Sequence, residues 1–129
     1  MRPGWDAYFL DLARVVAARG TCPRARVGAV LTKDRHVVST GYNGSLPGKP
    51  HCDDVGCLVV EGHCERTIHA EQNAIGYAAR DGIALRGSQL WVWFERGSSE
   101  NYRSGVGKLA WRALEELPCR LCGTLVQAV

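Results

Sequence analysis

One histidine and two cysteines have the residue types and the spacing to share a metal ion. His69 opens the segment HAEQNA, and Cys119 and Cys122 stand at i and i+3 in PCRLC. Residues three apart lie on the same face of a helix, so both sulfurs can point toward one ion. One His and two Cys leave the fourth position of a tetrahedral zinc ion open to water, which is the arrangement of catalytic sites.

A carboxylate, Glu71, follows His69 by two residues at the start of the same predicted helix. Zinc lowers the pKa of a bound water toward ~7, and a carboxylate that faces this water without binding the metal can shuttle protons. Taken singly, these residues are more often a capping histidine, a first-turn glutamate and a CxxC redox pair or half of a zinc knuckle. Together, HxE followed by PCxxC is the signature of zinc-dependent deaminases.

A second group of metal-binding side chains crowds one loop. Its members are Cys52, Cys57, His63 and Cys64. Four such ligands could close a structural zinc site and keep a long loop ordered. The alternative is a set of reduced, partly buried thiols beside a polar histidine. His51 is an alternative ligand or a substrate contact, and Cys22 is expected to be a small core residue.

The elements that must position these groups follow from hydrophobic periodicity and turn residues. The predictions are a helix over 5–19, a hairpin of strands 27–32 and 36–42, a loop over 43–68, a helix over 69–82, a strand over 88–95, a loop over 96–107, a helix over 108–117 and a helix from Pro118. Helices alternating with strands predict an α/β fold, a three-layer α/β/α sandwich with a central mixed sheet.

Length and charge restrict the class of protein. The 129 residues suit a single domain over 1–129, and a net charge of +3 suits an anionic small molecule better than nucleic acid. No apolar run approaches the ~20 residues of a membrane span. The first residues lack the apolar core of a signal peptide, so the cytoplasm is the expected compartment and cysteines at short spacings are expected to bind metal rather than to form disulfides.

The chain resembles the deoxycytidylate (dCMP) deaminases of the cytidine deaminase-like superfamily. HAE and PCxxC mark the superfamily, and the loop STGYNGSLPGKPHCDDVGCL points to the dCMP branch. The resemblance implies hydrolytic deamination of dCMP to dUMP at C4 of the pyrimidine, with zinc as cofactor. It implies that Glu71 takes the water proton, protonates N3 and later delivers a proton to the departing ammonia.

The resemblance also implies where the nucleotide binds. Asn43 in GYNG, with Gly44, would contact the sugar, and the backbone at Ala70 would help to hold the edge of the base. A plain turn is the alternative for Asn43-Gly44, because Asn-Gly is a strong turn pair. For the phosphate, the sequence does not choose among four candidate cations. These are Arg24, Arg26, Lys49 and Arg66.

Two features depart from the family pattern. Residues 95–117 stand between the last predicted strand and PCxxC, and we interpret them as an insertion. Relatives carry further strands where this sequence reaches Val129, so we expect a sheet with an incomplete C-terminal part. Its exposed edge would need cover from the 95–117 segment, a partner chain or an unrecognised strand.

The function that these patterns favour is deamination of a cytosine nucleotide by a homo-oligomer that binds neither membrane nor nucleic acid. One alternative is another deaminase of the superfamily, acting on a nucleoside, a free base or adenosine in tRNA. The other is an inactive regulatory module stabilised by zinc.

Overall fold

The computed structural model describes residues 1–61, 63–96 and 106–111, with residues 63, 96 and 106–111 described by their backbone alone. Its elements, in chain order, are α1 (Trp5–Ala17), β1 (Ala25–Lys33), β2 (His36–Tyr42), α2 (Cys52–Val55), β3 (Val59–Val60), β4 (His63–Cys64), α3 (Ala70–Arg80), β5 (Gln89–Arg96) and β6 (Val106–Trp111). The two long helices, the first hairpin and the strand β5 are confirmed. The predicted loop over 43–68 contains a four-residue helix and a small hairpin, β3–β4.

Four strands form the main sheet, in the order β2-β1-β5-β6. Among the described residues every pairing in this sheet is antiparallel, which differs from the mixed sheet that we predict. β1 is central and pairs with β2 on one side, where Gly28 faces Tyr42, and with β5 on the other, where Ala29 faces Val92.

The two faces of the sheet carry separate hydrophobic cores, because side chains alternate along a strand. On the first face, Val30 of β1 and Trp91 and Trp93 of β5 pack against Phe9, Ala13 and Ala17 of α1. On the second face, Ala29 and Leu31 of β1 and Leu90 and Val92 of β5 pack with the α3 residues Ala70, Ala74, Ile75 and Ala78. Two helices on opposite faces of one sheet confirm the three-layer α/β/α architecture.

Helix α1 lies close to the sheet because small residues face each other at the contact. Ala13 and Ala17 are fully buried, and Gly28 of β1 lies beneath them. A Cβ at Gly28 would collide with the backbone of both alanines. Among the described residues, no helix is both long and apolar enough to cross a membrane.

The predicted helix over 108–117 is wrong where the structure describes it, because 106–111 form the strand β6. Its residues pair with β5, with Gly107 facing Phe94 and Trp111 facing Leu90. An unpaired edge of β5 would expose a row of N–H and C=O groups, and this cost outweighs a weak preference for helix. Residues 106–111 of the 95–117 segment therefore cover this edge of β5, and this was one of the three kinds of cover that we expected. Residues 112–129, with the helix predicted from Pro118, lie outside the described residues.

Candidate active site and metal centre

The first turn of α3 carries the predicted catalytic residues. His69 is the N-cap residue, with extended backbone angles (φ −63°, ψ 145°), and its N–H donates to Oε1 of Gln72 at 3.1 Å. The amide of Asn73 donates to the carbonyl of Tyr42 at 2.8 Å, which attaches α3 to the end of β2. The end of the β1–β2 hairpin therefore positions the N-terminal end of α3, which we call the mouth of α3.

A glycine at the end of β2 sets the distance between α3 and the sheet. A Cβ at Gly41 would collide with the carbonyl oxygen of Ala70 and the backbone nitrogen of Ala74. These atoms belong to the turn that follows His69. Close approach of two backbones is a recurrent reason for glycine within a strand, and here it fixes the height of His69 above the sheet.

His69 and Glu71 lie in different environments although two residues separate them. His69 is exposed, whereas the Glu71 residue is only 6% exposed. Both residues interact with other groups of the protein. An accessible imidazole beside a shielded carboxylate suits a metal ligand next to a proton-transfer group. Cys119 and Cys122 lie outside the described residues, so the convergence of three ligands on one ion stays a prediction.

Both polar atoms of the Asn43 side-chain amide form hydrogen bonds to the backbone of β1. Its Oδ1 accepts from the N–H of Val27 at 2.9 Å, and its Nδ2 donates to the carbonyl of Ala25 at 2.7 Å. The side chain is buried and extends the β1–β2 pairing by one step. The amide therefore has a structural role, and its contact with a sugar stays a prediction.

Gly44 joins the loop to the residues that precede α3. Its N–H donates to the carbonyl of Ile68 at 3.3 Å, and its carbonyl accepts from the N–H of Ile68 at 2.8 Å. Since Ile68 precedes His69, this bridge places the GYNG loop at the mouth of α3. Ala70, the third predicted substrate contact, is almost fully buried there.

A cavity of about 220 Å³ lies between this loop and α3. Its lining residues are Tyr42, Gly44, Ser45, Pro47, His51, Asn73 and Tyr77. The hydroxyl of Ser45 is buried and has no hydrogen-bond partner among the described residues, and buried polar atoms of this kind are rare in native proteins. Sequence reasoning missed Ser45, because a serine in a loop carries no distinguishing pattern.

Arg26 and Arg66, both candidate phosphate-binding cations, contact identified groups of the protein. The guanidinium of Arg26 contacts both carboxylate oxygens of Asp53, at 3.0 and 3.1 Å, and the carbonyl of Gly20. Nε of Arg66 donates to the carbonyl of Gly56 at 3.1 Å. Both arginines thus help to hold the loop in place, which leaves less of their hydrogen-bonding capacity for a ligand.

Four cysteine sulfurs meet beneath the same loop. They belong to Cys22, Cys52, Cys57 and Cys64, and all four lie within 4.8 Å of one another. The sulfurs of Cys22 and Cys57 are 3.7 Å apart, and those of Cys52 and Cys64 are 3.4 Å apart. All four cysteines are free. Their separations exceed the ~2.05 Å of a disulfide bond.

Cys57 and Cys64 differ in acidity. Burial raises the pKa of Cys57 to about 12, helped by its contacts with Cys22 and Cys52. Burial also acts to raise the pKa of Cys64, but hydrogen bonds from Thr67, Cys52 and the backbone outweigh it and lower this pKa to about 6. Of these two sulfurs, Cys64 is therefore the better prepared to act as a thiolate at neutral pH.

The sulfur cluster differs in one member from the loop site that we predict. Cys52, Cys57 and Cys64 come together as expected, and the side chain of His63 lies outside the described part of the chain. The fourth sulfur belongs to Cys22, which is buried as predicted and also lies within 4.8 Å of the other three sulfurs. The number of cysteines could have indicated Cys22, because removing the PCxxC pair from the six cysteines leaves a set of four.

Comparison with known proteins agrees with the resemblance that the motifs indicate. The family model of the cytidine and deoxycytidylate deaminase zinc-binding region matches residues 3–129. ComE operon protein 2 of Bacillus subtilis is 44% identical over 91 residues, which cover 70% of this chain and 48% of that protein. Zinc as the metal of this chain is thereby confirmed.

Deoxycytidylate deaminases are among the other relatives. That of Schizosaccharomyces pombe is 37% identical over 90 residues, which cover 64% of this chain and 28% of that protein. That of Mycobacterium phage D29 is 38% identical over 102 residues, covering 70% and 78% respectively. The chain thus spans about half, or less, of the length of the bacterial and yeast relatives.

Crystal structures of the dCMP deaminase from cyanophage S-TIM5 share the fold. The apo form gives a TM-score of 0.59 and the complex with dCMP and dUMP gives 0.61, both at 26% identity. Each comparison covers 71% of this chain, and 67% or 66% of the cyanophage chain. The predicted cytidine deaminase-like fold is confirmed.

Proposed function

This chain belongs to the cytidine and deoxycytidylate deaminase family, and on that premise we propose that it deaminates a cytosine nucleotide. The substrate that we propose is dCMP, which reacts with one water to give dUMP and ammonia. The pairing of an exposed His69 with a buried Glu71 on one helix turn carries this proposal. The deoxycytidylate deaminases among the relatives support the choice of dCMP.

The proposed roles at the reacting centre follow from the donor set. His69, Cys119 and Cys122 would hold the zinc ion, which supplies a water of lowered pKa when bound. Glu71 accepts a proton from the attacking water and passes it to N3 of the ring. It then takes the remaining hydroxyl proton of the water that has added to C4 and delivers it to the amino group, which leaves C4 as ammonia. Burial of Glu71 keeps this carboxylate away from bulk water, which would compete for its protons.

The nucleotide is proposed to bind across the mouth of α3. The cavity between the GYNG loop and α3 opens beside Gly44, and the unpartnered hydroxyl of Ser45 can donate to a sugar or phosphate oxygen. We place the edge of the base against the backbone at Ala70 and the sugar near Asn43. The cyanophage dCMP deaminase, which shares the fold, was crystallised with dCMP and dUMP.

Ammonia release from a panel of substrates tests this proposal. The panel contains dCMP, CMP, dCTP, deoxycytidine, cytosine and AMP, and the Glu71→Gln variant serves as the blank. We expect release from dCMP that exceeds release from every other member. Release from deoxycytidine, cytosine or AMP alone would assign the chain to another branch of the superfamily. Zinc binding without any release would identify an inactive module. Homo-oligomer formation stays a prediction.

A further inference from the structure

We propose that Cys22, Cys52, Cys57 and Cys64 form a second metal site, which holds one zinc ion through four thiolates and fixes the loop against the mouth of α3. This site is separate from the proposed active site, since it uses neither His69 nor the PCxxC cysteines. It goes beyond the proposed function, because its role is to order the chain rather than to activate water.

The separations of the sulfurs fit a tetrahedral ion. At a Zn–S distance near 2.3 Å, the sulfurs of a four-thiolate zinc site stand about 3.8 Å apart. The Cys22–Cys57 and Cys52–Cys64 separations of 3.7 and 3.4 Å lie close to this edge length, and every remaining pair falls within 4.8 Å. Four ligands leave no position open for water, which is the pattern of a structural site.

Hydrogen-bonding groups outside the cluster contact two of the four sulfurs, as in the outer shell of a metal site. The Thr67 hydroxyl lies 3.3 Å from the sulfur of Cys52 and 3.5 Å from that of Cys64. Backbone groups of Arg66 and Leu58 also hydrogen-bond to Cys64. Such donors stabilise the negative charge that zinc-bound thiolates carry on sulfur, here at Cys52 and Cys64.

The segment that the ion would hold has little structure of its own. Between β2 and α3 the described chain offers a helix of four residues, Cys52–Val55, and a hairpin whose strands have two residues each. Elements this short are not stable in isolation. Cys52, Cys57 and Cys64 lie within this segment and Cys22 lies just before β1, so one ion would tie the segment to the sheet at three points.

The same segment forms the wall of the candidate active site. Thr21, next to Cys22, bonds through its hydroxyl to Nδ1 of His51 at 2.9 Å, and its N–H donates to the carbonyl of Asn43 at 3.0 Å. At the other end, Cys64 precedes His69 by five residues. Loss of the ion is therefore expected to loosen the cavity wall as well as the loop.

Metal analysis of the full chain tests the site without reference to turnover. The zinc-loaded protein should hold two equivalents of zinc, and the His69→Ala, Cys119→Ala double variant should retain one. Replacing that remaining zinc by Co²⁺ should give the visible spectrum of a tetrahedral ion with four thiolates. A double variant that retains no metal, or a cobalt spectrum without thiolate charge transfer, overturns the proposal. Neither result bears on whether the unmodified chain deaminates dCMP.

Two substitutions at the half-buried Cys57 give a matched pair. Cys57→Ser should lose one equivalent of zinc, whereas Cys57→His should keep it, because Cys₃His is also a zinc ligand set. In the unmodified chain, alkylation of the four thiols should require a chelator. Two outcomes contradict the proposal: full alkylation without chelator, and a mass showing Cys22–Cys57 and Cys52–Cys64 disulfides under reducing purification.

Discussion

Glu71 is the residue whose chemistry matters most for turnover, since it is the acid and base of the proposed reaction. We expect Glu71→Gln to lower kcat by about 10²- to 10⁴-fold, the usual contribution of a positioned general acid–base group. Zinc content and thermal unfolding should stay unchanged, because glutamine has almost the same size. Glu65→Gln, at an exposed carboxylate near the same helix, is the control and should keep full activity.

Replacement of Asn43 tests whether this residue, which we expect to contact the substrate, mainly stabilises the fold. Asn43→Ala leaves the N–H of Val27 and the carbonyl of Ala25 without their amide partner. We expect the free energy of unfolding, measured in urea, to fall by about 1–3 kcal/mol.

Asn73→Ala is the matched control for that variant, because it removes a single, exposed hydrogen bond to Tyr42. Its loss should be about 1 kcal/mol or less. Equal losses in the two variants would show that the amide of Asn43 contributes little to the framework. A raised KM with unchanged stability in Asn43→Ala would favour the sugar contact instead.

At the scale of elements, the distance between α3 and β2 places the catalytic turn. Gly41→Ala puts a methyl group against the backbone at Ala70 and Ala74, so the helix must move. We expect a loss of about 1–3 kcal/mol in unfolding free energy, together with a fall in kcat, because His69 and Glu71 move with the helix. Urea unfolding and ammonia release measure the two effects.

Gly76→Ala, in α3 itself, makes the same chemical change where the new methyl group has open space around it. There we expect a gain of about 0.5–1 kcal/mol, since glycine disfavours helix, and unchanged kcat. A fall in activity in this variant would mean that α3 tolerates no substitution. The effect of Gly41→Ala could then no longer be attributed to the collision between β2 and α3.

The conformation of β6 depends more on its pairing with β5 than on the preference of its own sequence. The KLAWRALEEL pattern favours a helix over 108–117, yet Val106–Trp111 pair along β5. Local periodicity reports a segment's own preference. The free edge of β5 exists only after the sheet has formed, so the pattern could not reveal it.

For the whole molecule, the two cores on opposite faces of one sheet should unfold together. Val30 packs toward α1, and its neighbour on β1, Leu31, packs toward α3. We expect Val30→Ala to cost about 2 kcal/mol and Ile75→Val, in the α3 layer, about 0.5–1.5 kcal/mol. Both variants should lower the midpoint of one shared transition, as the prediction of a single domain requires. Separate transitions by calorimetry would argue for two independent units.

The sequence by itself predicted the chemistry and determined most of the layers. HAE followed by PCxxC is the combination of residue types that predicts metal-assisted proton transfer, and the period of apolar residues predicted α1, α3 and the β1–β2 hairpin. These signals are local, since each is contained in a few consecutive residues.

Only the tertiary structure determined the contacts between segments that lie far apart in the sequence. It brought Cys22 to Cys52, Cys57 and Cys64, gave Asn43 its partners on β1 and paired β6 with β5. Thirty positions separate Cys22 from Cys52, and no periodic pattern spans that distance. Such contacts arise from chain packing, where the burial and hydrogen bonding of the whole domain select one arrangement.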